Sequence, residues 1–442
     1  MKEKFSYLQP ILPYGVIEPW DDLNPRLYHA VHIYWLKFYG MWFNIFPPKS
    51  MKFWLYAVYT LVVLWLVCFL PGIGEIVYLL RRRENIGDVA EGLYLFLSEM
   101  YTYVKVAVFW LNREQIEELL EYLHCKEFKA REAEHRLILR NSIKTARFIM
   151  TYYSAMCVGA VSVGIMMPLT EDFDILPTNV EYPNFDVYKM PAYAAIYVHH
   201  IYYKPATCII DGVMDTILAA FIASAIGQIE ILSFNLRNFE LVADRQRLRD
   251  IQQNKSNVAY TKKHYVRSVL KDCIIHHNCI IRYVSMIKSA FSLASALQFM
   301  LSVMVLCLIG IQFLSIENPS SHSMQMVWMG IYLTCMLIEV FILCWFGNEL
   351  IWKVNKIFHS KIKYIQFFLW DLRANEQACH LMVRSWVNND RETNMYLIIF
   401  MERCKRPLSV TGGKIFTLSL HTYTILINWA YKAFAVMRNM KK

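Results

Sequence analysis

Seven apolar stretches dominate this 442-residue chain and leave it few ways to fold. They run Phe53–Leu80, Val89–Leu111, Phe148–Leu169, about Tyr193–Phe234, Ser289–Leu314, Met326–Phe346 and about Gly413–Met437. Each matches or exceeds the roughly 20 helical residues that cross a hydrocarbon core. Inside that core the backbone must satisfy its own hydrogen bonds, so the stretches are expected as α-helices. The fourth is too long for one span and is expected to continue past the bilayer at its cytoplasmic end. Ahead of them, the aromatic, amphipathic stretch Val31–Phe46 reads as a short interfacial helix. The fold class is therefore all-α, a polytopic membrane protein of seven transmembrane helices with cytoplasmic helical extensions.

Hydrophobic residues make up 56% of the chain and charged ones 19%. Soluble domains carry about 25% charge, so a soluble enzyme is excluded, as are disordered, collagenous and disulfide-scaffold classes. The 11 cysteines form no CxxC pair and no Cys/His set with zinc spacing, so neither a metal nor a cofactor is expected. The first thirty residues lack a continuous apolar core, and a membrane helix is expected to direct insertion.

Charge gives the direction of the spans, because short loops rich in Lys and Arg stay cytoplasmic. With the N terminus inside, the inner segments 1–52, 112–147, 236–288 and 347–410 hold 35 of the 46 lysines and arginines. The outer segments hold 7. The N terminus is thus expected in the cytoplasm and the C terminus outside. The +10 net charge is a topology signal, and nucleic-acid binding is not needed to explain it. The loop after the third span contains Glu171, Asp172, Asp174, Glu181 and Asp186 and no cysteine. The sequon Asn254-Lys255-Ser256 falls on an inner loop and reads as chance.

The inner segments carry apolar stripes at helical spacing, such as Ile116, Leu119, Leu120 and Leu123 among charges. They should pack into a cytoplasmic helical domain; ordinary juxtamembrane helix and an assembly role are equal alternatives. No internal repeat points to an inverted-repeat transporter. Asp211 and Asp215 share a helix face, and Glu99 and Lys105 lie in the second span. Such groups are costly in a membrane, and either line a wet vestibule or bond one another. His199-His200 and His276-His277 are adjacent pairs whose rings point about 100° apart on a helix, unsuited to chelation or catalysis.

The last third of the chain carries a resemblance. It contains Gly347-Asn348, Arg406-Pro407, Gly413-Lys414-Ile415-Phe416 and the run Tyr431-Lys432-Ala433-Phe434-Ala435-Val436-Met437-Arg438. Asp215-Thr216 followed by Gln228, Ile231 and Leu232 adds a second pattern in the fourth span. These features resemble the insect odorant receptors, a family whose topology is likewise inverted relative to G-protein-coupled receptors. In it the Gly-Asn pair ends the sixth helix and the Arg-Pro step breaks the seventh. Two tryptophans, Trp370 and Trp386, compete for one family position. The gustatory signature fails after Thr422-Tyr423, and the co-receptor's long inner-loop insertion is missing, so the resemblance is to a ligand-tuning subunit.

The resemblance implies an odorant-gated, non-selective cation channel that works with the odorant receptor co-receptor as a heterotetramer. It implies multi-pass location in the plasma membrane, in the dendrites of olfactory neurons. The layout expected is a cytoplasmic N-terminal region 1–52, spans one to six with an outer pocket over 53–346, a cytoplasmic anchor region 347–411, and a pore helix with a short tail over 412–442. A small volatile ligand would bind among the outer halves of helices two, three, four and six. By helix position these offer Tyr94, Leu97 and Met100; Met156, Ala160 and Gly164; Tyr203, Thr207 and Ile210; and Met329, Tyr332 and Met336. Val436 and Met440, four apart, would form a hydrophobic gate with Asn439 as a polar pore contact. Simple interhelical packing is the other reading of all these positions. A gustatory-type channel, a metabotropic receptor and a membrane acyltransferase are the competing classes.

Overall fold

The computed structural model describes residues 24–42, 45–47, 50–84, 86–169, 175–183, 186–252, 261–315, 323–370, 395, 400, 403, 408–413 and 415–440. Its first helix, α1, is Ala30–Phe38, after a 3-10 turn at Pro25–Tyr28 whose start is capped by Asn24 Oδ1 accepting from Arg26 N at 3.0 Å. The expected interfacial helix over 31–46 stops early. Gly40 adopts φ 75°, and Met41 N reaches back to Leu36 O at 2.7 Å, the six-to-one bond that closes a helix end. Nor does α1 only lie on a surface. His29, Val31, His32 and Leu36 are buried, and His32 Nε2 sits 3.2 Å from Thr216 Oγ1 inside the bundle.

Helix α2, Met51–Arg81, is the first span, and only 11% of its most apolar stretch is buried within the chain. Trp54, Leu61 and Leu80 face outward, as lipid contact requires. At Trp65–Phe69 the helix widens into a π turn. Pro71 explains it, having no N–H for the carbonyl four residues back. Val67 O accepts from the Tyr103 hydroxyl instead, and Leu66 O accepts from His199 Nε2 at 2.7 Å.

The bundle continues with α3 (Ile86–Leu111), α4 (Arg113–Tyr122), α5 (Ala133–Met166), α6 (Ala192–Arg237), α7 (Phe239–Gln252), α8 (Lys262–Ser315) and α9 (Ser323–Trp370). Helix α6 is the mast: 83% of its most apolar stretch is buried, against α1, α3, α5, α8 and α9. Five helices (α2, α5, α6, α8 and α9) are long and apolar enough to cross a membrane among the described residues. Helix α3, with 26 residues, has the length to span but carries more polar side chains.

Helices α5, α6, α8 and α9 run well past their apolar stretches, and the expected inner extensions pack together. Arg245 bonds Glu132 at 3.3 Å and Glu134 at 3.0 Å; Arg131 meets Asp272 at 3.1 Å, and Lys262 meets Asp244 at 2.9 Å. Beneath them Phe128 and the stacked Tyr122 and Tyr283 form a core, and Gln228 links Phe128 O to His276. At the opposite end Arg81 bonds Glu181 at 3.0 Å, and the loop between α5 and α6 seats Leu176, Val180, Val187 and Tyr193 in a small cluster. The two sets of segments separated by the charge count therefore stand at opposite ends of the bundle.

Two boundaries differ from expectation. Gly347 and Asn348 do not end the sixth helix, since α9 continues unbroken to Trp370. Gly347 serves close approach instead: a Cβ there would collide with the carbonyl oxygen of Leu418 and lie 2.6 Å from its Cβ. The seventh span does not begin at Gly413. Residues Thr411–Gly412 (β1) and Phe416–Thr417 (β2) pair as an antiparallel hairpin, Gly412 opposite Phe416, and the final helix α10 is Leu420–Met440, 21 residues long. Gly413 turns the hairpin at φ 58°, its N–H on Ser292 O at 2.8 Å. The sequon Asn254-Lys255-Ser256, Glu171, Asp172, Asp174, Trp386, Lys414 and the Arg406-Pro407 step lie outside the described residues, as does most of 371–407 in the anchor region.

Gly347→Ala is expected to lower stability by about 1–3 kcal/mol through overpacking. Gly159→Ala, where a Cβ meets nothing within 4 Å, is the control. Thermal midpoints of the purified proteins in detergent check this, and equal midpoints for the two variants would refute the close-approach argument.

Candidate functional site

Inside the bundle four helices each contribute polar side chains to one cluster. Helix α3 supplies Tyr101, Thr102 and Lys105; α6 supplies Asp211 and Asp215 from one face; α8 supplies Gln298 and α9 supplies Glu339. Lys105 Nζ donates to Asp211 at 2.8 Å, to Glu339 at 3.1 Å and to Asp215. Gln298 Nε2 donates to Asp215 at 3.0 Å and Glu339 at 2.8 Å, and Thr102 Oγ1 donates to Asp211 at 2.8 Å. The Tyr101 ring lies 4.2 Å from the ammonium. One carboxylate oxygen from each of the three acids lies within 4.8 Å of the others, and Lys105 occupies the place a cation would take among them.

A second ion pair lies closer to the outer end. Lys204 on α6 bonds Glu99 on α3, with Glu75 of α2 at 3.8 Å. Of the two sequence readings for the membrane charges, mutual bonding is what the side chains do. Sequence reasoning missed Glu75, Gln298 and Glu339. Each was signalled by a lone polar letter in an apolar run, as in MLIEVFIL around Glu339.

Above this floor is a cavity of about 120 Å³ between the outer halves of α3, α5, α6 and α9, roofed by Pro177 and Thr178. Cavities of roughly 150 Å³ admit benzene-sized guests. Ala160, Gly164, Thr207, Tyr332 and Met336 line it. Tyr94 stands behind the wall, 5.4 Å from the Tyr332 ring, and Met100 packs on α2, its methyl 3.3 Å from the place of a Gly72 Cβ. Tyr203 is buried against His199 at 4.9 Å, and Ile210 and Met329 are buried in the core. Leu97 packs partly buried on that core, and Met156 is half-buried; neither lines the cavity.

The α3 wall is Leu95, Ser98, Glu99 and Thr102 instead, a stripe at i, i+3, i+4 and i+7 one position away from Tyr94 and Leu97. Trp328, at the outer end of α9, was also missed. Its indole stacks on Tyr332 at 5.6 Å and enters because Gly164 has no side chain: a Cβ there would lie 2.6 Å from Nε1.

The histidines have separate duties. His199 holds the Leu66 carbonyl, His200 Nδ1 donates to Ile196 O at 2.7 Å, and His276 meets Gln228 at 3.0 Å. On α10, Val436 is 59% exposed and Asn439 is exposed; the Met440 side chain lies outside the described residues.

The family model described as 7tm Odorant receptor matches residues 85–361 and 383–431, well over half of the chain. The chain belongs to this odorant receptor family. The receptor is 20% identical to Odorant receptor 46a, isoform A, of Drosophila melanogaster over 380 residues, covering 86% of this chain and 89% of that one. It is 21% identical to Odorant receptor 2a of the same fly, covering 96% of this chain and 100% of that one. The solved olfactory receptor OR5 of Machilis hrabei superposes with a TM-score of 0.71 at 16% identity, covering 93% of this chain and 97% of that one. The odorant receptor coreceptor of Aedes aegypti matches over 191 residues only, 43% of this chain and 35% of that one. The receptor is therefore a multi-pass member of the family, and not an enzyme.

Removing Lys105 would leave three carboxylates facing one another. Lys105→Met is expected to destabilise the receptor by about 3–5 kcal/mol, the penalty of breaking a buried pair. The triple variant Lys105→Met/Asp215→Asn/Glu339→Gln should recover part of it. Surface biotinylation and thermal midpoints report both, and a lone Lys105→Met that matched the wild type would remove the cluster from the stability argument.

Proposed function

We propose that the receptor is an odorant-gated, non-selective cation channel subunit that assembles with the odorant receptor co-receptor in the plasma membrane of olfactory neurons. The observation that carries the ligand site is the cavity itself. It lies among the outer halves of the second, third, fourth and sixth spans, with apolar and aromatic walls of Trp328, Tyr332, Val161 and Met336, and its polar groups above the floor are Ser98, Thr178, Thr207 and the Lys204–Glu99 pair. Small-molecule sites have this makeup. The OR5 receptor, whose fold this chain shares, has also been solved in complex with eugenol, a compact aromatic volatile.

The pore reading rests on α10. Trp429, Tyr431 and Val436 are 53%, 67% and 59% exposed on a helix that packs by its other face on α8 and α9. An apolar helix at the edge of one subunit calls for other subunits or lipid to cover it. In a tetramer the four copies would surround a central path, with Val436 narrowing it by dewetting until ligand binding favours the wider state. The partial likeness to co-receptors supports assembly with such a subunit. The described anchor segments, with Phe400 buried against His277, would contribute to holding subunits together.

Whole-cell currents during an odorant panel, with this chain alone and then with the co-receptor, test the proposal. Rapid cation current confined to the pair is expected. Val436→Ser should raise the current without ligand several-fold by wetting the constriction. Odorant responses that need a G protein and no channel pore would favour the metabotropic class instead.

A further inference from the structure

We propose that the cavity wall between α5, α6 and α9 binds a soft monovalent metal ion of the copper(I) type, with Cys157 as its fixed ligand and Cys208 or Cys335 as the second. Three of the chain's 11 cysteines line this one cavity. Cys157 stands on α5, Cys208 on α6 and Cys335 on α9, and all three are free thiols. The Cys157 thiol is in hydrogen-bond contact with both Cys208 and Cys335. A fourth sulfur, the thioether of Met336, belongs to the same wall. Spacing along the chain could not reveal such a group, because its members come from three different helices.

The donor set decides the class of ion. Thiolate and thioether sulfurs select copper(I) and ions like it, whereas carboxylates suit hard cations. The carboxylates nearby are already held, Asp211, Asp215 and Glu339 by Lys105 and Glu99 by Lys204. Sulfur is what remains. The three thiols do not all lie within 4.8 Å of one another, so they do not close into the cage that a tetrahedral zinc ion requires. Cys157 is instead the middle member of a row. Copper(I) and silver(I), with filled d shells, accept two sulfurs in line. Such a pair spans about 4.6 Å, twice a metal–sulfur bond of roughly 2.3 Å, which is little more than the separation of two thiols in contact.

The charge balance agrees. As the ion binds, the S–H bond of Cys157 breaks, a metal–sulfur bond forms and the proton leaves to solvent. No electron is transferred, and the second sulfur binds as a neutral thiol. One positive charge replaces another, so the wall keeps its net charge where an extra one would be costly. Packing is the other use three cysteines could have, since a thiol fills space as a small hydrophobe; packing alone gives no response to a metal. The inference stands on the positions of the thiols and does not depend on what odorant the cavity takes.

Silver(I), which stands in for copper(I) without its redox chemistry, is titrated into the purified, reduced full chain under argon, and bound silver per chain and thermal midpoint are read together. The wild type is expected to gain several degrees with its tightest equivalent. Cys157→Ser should bind one silver ion fewer and weaken the tightest affinity at least tenfold. Cys208→Ser and Cys335→Ser should each keep the site, because one partner remains, while the double variant Cys208→Ser/Cys335→Ser loses it. Cys307→Ser, at a cysteine that does not line the cavity, is the control. Should Cys157→Ser fail to fold, the double variant carries the test, because it leaves Cys157 in place. Silver binding and stabilisation equal in the wild type, Cys157→Ser and the double variant would overturn the proposal. Stabilisation by zinc(II) at least as strong as by silver(I), and lost in Cys157→Ser, would make this a divalent site and overturn the monovalent assignment.

Discussion

The ammonium of Lys105 is the point where this bundle is tied together. Helices that meet in a membrane gain little from hydrophobicity, because lipid is as apolar as their own side chains. Close packing and polar contacts must choose the partners and set the rotation of each helix. Lys105 does so for three helices at once, holding Asp211 and Asp215 of α6 and Glu339 of α9 against α3, while Gln298 brings in α8. Rotating α3, α6 or α9 by a residue would break an ion pair of the cluster, and rotating α8 would withdraw the Gln298 amide from two carboxylates. The cluster also forms the floor of the cavity between the outer halves of these helices, so the packing and the cavity's polar lining rest on the same side chains.

Around that tie, fit is set by where side chains are missing. Gly347 admits the Leu418 backbone, so the hairpin of Thr411–Gly412 and Phe416–Thr417 docks between α8 and α9 and fixes where α10 starts. Gly164 admits the Trp328 indole and so shapes one cavity wall. Pro71 opens a π turn in α2, and the two carbonyls concerned are claimed by α3 and α6 through Tyr103 and His199. Each is a local irregularity that serves as a joint between helices.

The same contrast explains what could be read from the sequence. Span positions, and the division of the connecting segments between the two ends of the bundle, were legible because hydropathy and loop charge are properties of segments. The seven stretches map onto α2, α3, α5, α6, α8, α9 and α10. Helix rotation was not legible: a membrane helix apolar on every side gives no period to follow. Hence Tyr94 and Leu97 were chosen where Leu95 and Ser98 face the cavity, although Thr207, Tyr332 and Met336 do line it. Gly347-Asn348 looked like a helix end because glycine weakens helices, yet tertiary contact with Leu418 decided its role. Lone polar letters in apolar runs were the better guide, and Glu339 was the one with most to tell.

The central tie also has an order in time. Chains enter the membrane from the N terminus, and Lys105 comes first, in the least apolar of the spans. Asp211 follows 106 residues later and Glu339 234 residues later. An intramembrane lysine at a helix centre costs about 2.5–3.5 kcal/mol on insertion scales, and α3 carries that cost until α6 arrives with two carboxylates. When α6 arrives, its own acids meet a countercharge already in place. The last acid then joins a site that is half built. The sequence thus presents the lysine before any of the three acids it holds, and the cluster is complete only once α9 is in place.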